Sequence, residues 1–434
     1  MRRAPFHKAV FVTALAIALT LSGCSNGSPT IAPRPESSPQ SDRVAPQVRA
    51  LQVTRFVTSQ ISEDDADDIL RNASAVLQTN DGDGDVSCNL TLTRDGNLTT
   101  FTRGDGEIHT EGDFRQVCSE PGYIHVVNLI NKCDGEVNPS IIGCAKFLEE
   151  CVVVVRFTPP GEPMTEGILW AHEYGHTLNL HHRGQSDAVM FPVVADDHRK
   201  IDDFEADVFL RFSQPAAPPF TEEFLFPPDV RDFVHERFIH GVPFEAARRF
   251  NTPEAVQTLA AMLQDPAEEE YWPNIAATLG MTGNSAAFEH LSAFVQRGEG
   301  QLSPQAYRAK AGALIAVGYM LGQTGTTDAV NYLARGARPG SWRGLNWVSP
   351  FTPDARARDQ QLAESAIMAL GVSGDAGALN TLNRFNRAPL STMMEGAPPS
   401  ADREDFSETI QEALEENRKV RALGLERYAR GQGQ

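Results

Sequence analysis

The chain of 434 residues carries 57 acidic and 38 basic side chains, so its formal net charge is −19 at pH 7. This charge disfavours binding to nucleic acid or to anionic lipid through general electrostatics, and it fits a protein that works outside the cytoplasm. The length exceeds that of one ordinary domain, so we expect at least two.

The first residues have the pattern of an export signal. The basic start MRRAPFHK precedes the apolar stretch AVFVTALAIALTL, which is too short to make a stable membrane span. The next residues, LSGC, end at Cys24 and resemble the lipobox of bacterial lipoproteins. This resemblance implies that residues 1–23 are removed and that acylated Cys24 anchors the protein in the bacterial cell envelope. Ser25 favours the outer membrane where a cell has two; the alternative is an ordinary cleaved signal in which Cys24 has no role.

Residues 24–47 are rich in Ser and Pro, which predicts a disordered tether. The segment that follows predicts alternating strands and helices. VRALQVTRFVTS is a first strand, and Ser62 precedes an acidic, amphipathic stretch typical of a helix start. VSCNLTLTR and YIHVVNLIN are further strands, and the continuous apolar run in ECVVVVRFT predicts a fully buried strand.

Five cysteines lie beyond Cys24, and all of them precede residue 172: Cys88, Cys118, Cys133, Cys144 and Cys151. Such clustering in an exported domain favours disulfides, and the odd number leaves one thiol over. We expect Cys133 to pair with Cys144, and Cys88 with Cys118 is a second, less favoured pairing. The alternative is that the cysteines are reduced and packed as small apolar side chains.

An acidic turn follows the first helix. Asp81, Asp83 and Asp85 stand at alternate positions, so their carboxylates could converge on Ca²⁺. The glycine and glutamate that an EF-hand loop needs are replaced by Val86 and Leu92. We therefore favour a plain acidic turn and keep calcium as the weaker alternative.

Residues 172–182, HEYGHTLNLHH, have the pattern of a zinc site. His172 and His176 are four apart, so on a helix their rings point the same way and can hold one Zn²⁺. Glu173 lies beside them and can move a water proton. His182 follows six residues after His176, and Met190 lies eight residues further on.

This set resembles the metzincin clan of zinc peptidases, whose signature is HExxHxxGxxH followed by a methionine-containing turn. The short spacing to Met190 and the sequence VMFP are most similar to the matrixin branch. The resemblance implies zinc bound by His172, His176 and His182, with Met190 as an apolar floor that is not a ligand. Asn179 replaces the glycine of the pattern; because asparagine tolerates positive φ, we expect it to allow the same turn.

Three neutral imidazoles would leave the zinc a position for water, which Glu173 deprotonates for attack on a peptide carbonyl. A rival hypothesis takes the third ligand from Glu205 in DDFEADVF, although it leaves His182 and Met190 unexplained. We expect His181 to point away from the ligands. Many secreted metzincins have an N-terminal propeptide that caps the zinc; nothing in residues 25–47 resembles one, so we expect no long inhibitory propeptide.

Residues 223–434 follow a Pro-rich linker at 214–222 and predict an all-α domain. A phrase of the form Leu-Gly-x-x-Gly recurs at 279–283, 321–325 and 370–374, and each copy predicts a helix, a glycine turn and a second helix. The pattern resembles HEAT-like repeats, which stack helix pairs into a solenoid with a concave binding surface. An irregular helical bundle is the alternative.

The expected fold is thus an α+β, metzincin-like catalytic domain at residues 48–213, with a mixed twisted sheet and an active-site helix, followed by an all-α HEAT-like solenoid. The expected function is a zinc endopeptidase acting on extracytoplasmic protein or peptide substrates, and the helical repeats would dock a protein partner. The alternative is a non-catalytic surface lipoprotein whose repeats bind that partner.

Overall fold

A computed structural model describes residues 47–80, 84–156, 163–211, 226–387 and 406–430. The signal peptide, Cys24 and the tether up to residue 46 lie outside the described residues, as do Asp81 and Asp83. The described residues belong to one compact unit. The structure is mixed α/β with about 52% helix, and its C-terminal half is helical, as the sequence predicts. None of the described helices is both long and apolar enough to cross a lipid bilayer.

The strands of the described residues are short and form several small sheets. In chain order they are β1 (Gln47–Leu51), β2 (Val53–Phe56), β3 (Leu90–Arg94), β4 (Thr99–Phe101), β5 (Glu107–Ile108), β6 (Ile124–Val127), β7 (Leu129–Cys133), β8 (Glu136–Ile141), β9 (Gly143–Ala145), β10 (Val152–Val155), β11 (Val193–Val194), β12 (Arg237–Phe238), β13 (Gly300–Gln301) and β14 (Trp347–Val348).

The α-helices of the described residues lie mostly in the second half of the chain. They are α1 (Glu63–Gln78), α2 (Glu111–Cys118), α3 (Pro163–Thr177), α4 (Asp203–Arg211), α5 (Val230–His235), α6 (Phe244–Arg248), α7 (Pro253–Met262), α8 (Trp272–Met281), α9 (Ala287–Gln296), α10 (Pro304–Thr324), α11 (Thr327–Gly336), α12 (Ala355–Val372), α13 (Ala376–Arg387), α14 (Ser407–Leu423) and α15 (Leu425–Arg430).

The largest sheet has five strands in the order β4-β2-β6-β10-β9. Strands β4, β2, β6 and β10 are parallel to one another, and β9 is antiparallel at the edge. Both faces of the sheet are covered: Val152 and Val154 of β10 pack in the core with α1 and α3, whereas Val153 and Val155 pack in the core on the other face, with α2. Burial on both faces explains why β10 is a continuous run of valine.

Helix α1 begins as the sequence predicts. The Ser62 side chain accepts a hydrogen bond from the Asp65 backbone N–H, and the Asp65 carboxylate accepts one from the Ser62 N–H, which makes a capping box. The helix packs on α3, so this cap helps to fix the layer that carries the histidine motif.

The C-terminal helices form two rows. Helices α8, α10, α12 and α14 pack side by side, and α9, α11 and α13 each follow a glycine turn and lie between successive members of that row. The first glycine of each repeated phrase lies where helix backbones touch: a Cβ on Gly280 would collide with the carbonyl of Ala316, and one on Gly371 with the backbone of Ala413. The second glycines have left-handed φ of +71° at Gly283, +65° at Gly325 and +58° at Gly374.

The helical rows pack directly on strands of the first half. Tyr319 Oη donates to the carbonyl of Val137 at 2.5 Å, and Arg308 Nε donates to the carbonyl of Asn128 at 2.7 Å. One buried apolar cluster combines Val137 with the cores of α8, α10 and α12. The two predicted parts of the chain therefore share a continuous core.

A buried ionic cluster lies in this shared region. His109 Nε2 is 3.1 Å from Glu107 Oε2 and 3.8 Å from Glu364 Oε2, so strand β5, the start of α2 and helix α12 are held together. Tyr307 Oη of α10 donates to the second oxygen of Glu107 at 2.7 Å. Burial would lower the pKa of His109, but the hydrogen bond to Glu107 and the charge of Glu364 raise it to about 9.

The disulfides confirm one expected pair and correct the other. Cys133 is bonded to Cys144, which ties β7 to β9 at the edge of the main sheet. Cys118 is bonded to Cys151, so the pairing of Cys88 with Cys118 is wrong. Cys88 packs on the α1 face of the main sheet and Cys118 on the opposite face, so the two thiols cannot meet. Cys88 is a buried free thiol whose sulfur hydrogen-bonds to the carbonyl of Leu77.

Candidate metal centre

Helix α3 carries the histidine motif through the core of the protein. Every residue from Thr165 to Thr177 is buried, which suits a helix that is apolar on most of its faces. Because His172 and His176 are one turn apart, their rings project from the same side, with centroids 4.6 Å apart. The helix thus presents two imidazoles to one point.

The end of α3 reverses the chain as the sequence predicts. Asn179 has φ of +74°, the left-handed conformation expected of it. The N–H of Leu180 donates to the carbonyl of Gly175 and that of Asn179 to the carbonyl of His176, at 3.0 and 2.9 Å, which together form a Schellman motif. This turn brings His182 back to the helix, with its ring centroid 5.0 Å from that of His176.

The backbone fixes the tautomers of the two helix histidines. His172 Nδ1 lies 2.8 Å from the carbonyl of Val189, and His176 Nδ1 lies 2.7 Å from the carbonyl of Leu180. A carbonyl can only accept, so each Nδ1 must carry the hydrogen. In the neutral rings each Nε2 then holds a lone pair. Such backbone partners orient histidines that bind metal ions.

Those two lone pairs face each other. The Nε2 atoms of His172 and His176 are 3.0 Å apart, and neither can donate to the other when Nδ1 holds the hydrogen. Burial lowers the pKa of His172 well below its usual value and that of His176 to about 4, so protonation does not relieve the contact near neutral pH. A cation bound to both nitrogens would stabilise this arrangement, so the two rings could hold a metal ion.

A fourth histidine, which sequence reasoning missed, completes the group. His172, His176, His182 and His240 each offer one ring nitrogen, and these nitrogens all lie within 4.8 Å of one another. His240 Nε2 is 3.2 Å from His176 Nε2. Two nitrogens that each lie about 2.0–2.1 Å from one tetrahedral metal ion are roughly 3.3–3.4 Å apart. The 3.0 Å and 3.2 Å distances from His176 are close to that spacing, so the group could hold one metal ion.

Glu173 is a buried acidic side chain next to the four histidines. Its side chain is fully buried, and within the described part of the chain neither carboxylate oxygen has a hydrogen-bond partner. Oε1 lies 3.9 Å from Nε2 of His240, and a Cβ on Gly143 of strand β9 would collide with it. Burial raises the pKa of Glu173 well above its usual value. A buried acid with a strongly raised pKa beside side chains that could hold a metal ion marks a candidate functional site.

Met190 lies beneath this part of the helix. Its side chain is fully buried, and a Cβ on Gly175 would lie only 2.6 Å from its sulfur, so the methionine packs against the helix backbone between the two ligand histidines. The Met190 carbonyl accepts from the N–H of Arg183 at 2.9 Å. The turn around Met190 is therefore tied both to α3 and to the segment that carries His182.

Other candidate residues lie elsewhere. Glu205 is outside the four-histidine group and pairs with Arg183 at 2.8 Å, which disfavours the rival hypothesis that it is the third ligand. His181 is outside the group as well, and its ring lies 4.4 Å from the Phe147 ring, centroid to centroid. Asp85 accepts from the Ile201 N–H at 3.0 Å and belongs to no metal-ligand group among the described residues.

The sequence contains little that identifies His240 as a metal-ligand candidate. It lies in FIHGVPF, 58 residues after His182, in a stretch that we assigned to the helical part. The flanking Phe238 and Ile239 are typical strand residues and Gly241 is a turn residue, but no spacing rule links them to the histidine motif. Strand β12 and the residues after it carry His240 back to the first half of the chain.

Comparison with models of known protein families found no match. Comparison with curated protein sequences found none either. The function is therefore inferred from the residues of the metal centre.

Proposed function

We propose that this protein is a zinc-dependent endopeptidase of metzincin type that hydrolyses peptide bonds of extracytoplasmic proteins. The observation that carries the proposal is Glu173, a fully buried carboxylate without a hydrogen-bond partner among the described residues, beside a convergent group of imidazoles. An unpaired buried acid is costly, and a purely structural metal site does not need one. The cost is understandable if the carboxylate handles protons.

The chain's own residues have separate roles in this proposal. His172, His176 and His182 hold the metal, and the carbonyls of Val189 and Leu180 orient the first two rings. A zinc ion held there would acidify a water molecule and polarise the substrate carbonyl. Glu173 would accept the proton of the attacking water and deliver it to the leaving amine.

One specific observation favours the alternative, a non-catalytic surface lipoprotein. His240 gives the metal a fourth imidazole, and four protein ligands are typical of closed, structural zinc sites. In that case the metal would stabilise the fold, and the helical half would bind a protein partner. Glu173 would then be an acid without a role.

The two functions differ in what Glu173 does. We expect the purified protein to hold about one zinc per chain and to cleave casein or a peptide library in a chelator-sensitive way. E173A should keep its zinc and lose about 10²–10⁴-fold in rate, the usual contribution of a general base. The matched control is E205Q, which changes a buried acid outside the ligand group and should keep both zinc and activity.

The outcomes separate the candidates. Full activity in E173A would show that another base acts. Loss of zinc in E205Q would restore the rival ligand hypothesis. One zinc per chain without cleavage of any substrate would favour the non-catalytic lipoprotein.

The remaining proposals concern location and the helical half. We propose that Cys24 is the acylated N-terminus of the mature protein, and mass spectrometry of that terminus tests it. We also propose that the two rows of helices are HEAT-like repeats that dock a protein substrate or partner. The net charge of −19 argues against nucleic acid as that partner.

A further inference from the structure

Residues 237–242, here called the 237–242 segment, carry His240 into the metal centre. The segment begins with strand β12 (Arg237–Phe238), and His240 makes an isolated antiparallel bridge with Ile141. On one side, β12 pairs antiparallel with β11, the strand that follows the Met190 turn, and the Ile239 N–H donates to the carbonyl of Pro192 at 3.1 Å. On the other side, the carbonyl of Ile239 accepts from the backbone N–H groups of Ile142 and Gly143 at 2.9 and 3.2 Å. The segment is thus hydrogen-bonded to the neighbouring backbone on both sides.

The segment is also held by apolar and polar contacts. Phe238, Ile239 and Val242 are each at most 1% exposed. The carbonyl of Val242 accepts from the Asn138 side-chain amide at 2.9 Å, and its N–H donates to Ser140 Oγ at the same distance. These contacts on both sides of residue 240 hold the His240 backbone next to the metal centre.

His240 occupies the position that peptide hydrolysis needs to be open. Its Nε2 is 3.2 Å from the Nε2 of His176, at ligand spacing, and 3.9 Å from Oε1 of Glu173. A water molecule activated jointly by Glu173 and a metal would have to lie between that carboxylate and the metal, where the His240 ring stands. The His240 side chain is 21% exposed and His182 is partly exposed as well, so solvent can reach this side of the centre.

Extended peptides commonly bind enzymes and receptors by adding a strand to the edge of a sheet. Ile142 and Gly143 lie at and beside β9, the edge strand of the main sheet, and their backbone groups are used by the 237–242 segment. The segment therefore takes both the hydrogen bonds and the metal position that a peptide substrate and its attacking water would use.

We propose that the 237–242 segment is an intramolecular inhibitor and that His240 is a removable fourth ligand; this inference rests on the proposed peptidase function. Peptide cleavage is slow while His240 occupies the fourth ligand position, and it becomes at least about ten times faster when His240 leaves that position. The protein thereby carries its own cap on the C-terminal side of the metal centre, in contrast to an N-terminal propeptide.

The test uses the full chain loaded with Co²⁺, whose visible absorption reports the ligands of the metal. We compare wild type, H240A and the control H198A, which removes a buried histidine that hydrogen-bonds to Val193 and is outside the four-histidine group. Each protein is titrated with acetohydroxamate, which binds an open metal position. We expect the Co²⁺ spectrum to change in H240A and the affinity for acetohydroxamate to rise at least about ten-fold, because the open state no longer competes with His240.

Cleavage of casein by the zinc-loaded proteins is the second measurement. H240A should cleave at least about ten times faster than wild type, H198A should match wild type, and H240A combined with E173A should be inactive. Equal acetohydroxamate affinity in wild type and H240A would overturn the assignment of His240 as a removable ligand. If H240A fails to fold, the measurement on wild type is sufficient. Tight binding of acetohydroxamate by wild type would show that the metal position is already open, and it would overturn the assignment of His240 as a removable ligand. If H240A binds acetohydroxamate but cleaves nothing, the peptidase proposal fails and the ligand assignment stands.

Discussion

Replacing Asn179 tests whether the turn at the end of α3 sets the geometry of the metal centre. Its φ of +74° lies in the left-handed region, which costs a residue with a Cβ roughly 1–2 kcal/mol and which Asn and Gly tolerate best. N179A removes the side chain that makes this conformation tolerable, so we expect it to lower the free energy of unfolding by about 1 kcal/mol. In N179G the relief of strain is offset by about 0.5–1 kcal/mol of additional unfolded-chain entropy, so that variant should be close to wild type.

We expect N179A to lower the affinity for zinc as well. The Leu180 carbonyl that orients His176 and the approach of His182 both depend on this turn. If the turn of metal-free N179A relaxes to negative φ, zinc binding must restore the strained left-handed conformation. The strain energy of about 1 kcal/mol is then lost from the free energy of zinc binding, which corresponds to roughly five-fold weaker binding. Urea unfolding measures the stability, and competition with a chromogenic chelator measures the zinc affinity.

Asn89 provides the matched control. Its φ of +50° is also left-handed, but it precedes β3 and lies outside the metal-ligand group. N89A should therefore lose stability without losing zinc affinity. The reasoning is refuted if N179G is less stable than N179A, or if N179A equals wild type in both stability and zinc affinity.

Two further predictions concern stability. Replacing both cysteines of Cys133–Cys144 by serine should cost about 3 kcal/mol in denaturant unfolding, and the same change at Cys118–Cys151 about 4 kcal/mol, because the sequence separations are 11 and 33 residues; the reverse order would contradict this loop-closure account. The raised pKa of His109, caused by Glu107 and Glu364 against the effect of burial, means that its contribution to stability is complete below pH 6.5 and is lost as the pH rises through about 9. Burial also raises the pKa of Glu364, so the contribution of Glu364 to stability likewise falls as the pH rises. We therefore expect E364Q to reduce the fall in the free energy of unfolding between pH 6.5 and 9. An unchanged slope in E364Q would contradict this explanation.

Local features of the structure were predictable because short-range geometry dictates them. The spacing of His172 and His176 follows from the helical repeat, and the left-handed turn at Asn179 follows from the conformational preference of asparagine. The glycines of the repeated phrase likewise mark turns and close helix contacts, since residues with side chains fit neither. Each of these inferences uses residues a few positions apart.

Features that depend on the arrangement of the sheet were not predictable in this way. The error over Cys88 arose because pairing depends on the face of the sheet on which each thiol lies, and the strand order that decides it is not encoded in spacing. His240 was missed for the same reason: it reaches the centre through a strand that pairs across 44 residues, from Phe238 back to Val193 of β11. Long-range pairing places these residues.

The continuous core across the two halves has a practical consequence for work with recombinant fragments. A truncated chain that stops before α5 would lose the helices that cover Val137 and Val193, and these apolar side chains would face solvent. Such a fragment would aggregate, and its inactivity would say nothing about catalysis. Dissection of this protein by point substitution will be more informative than dissection by deletion.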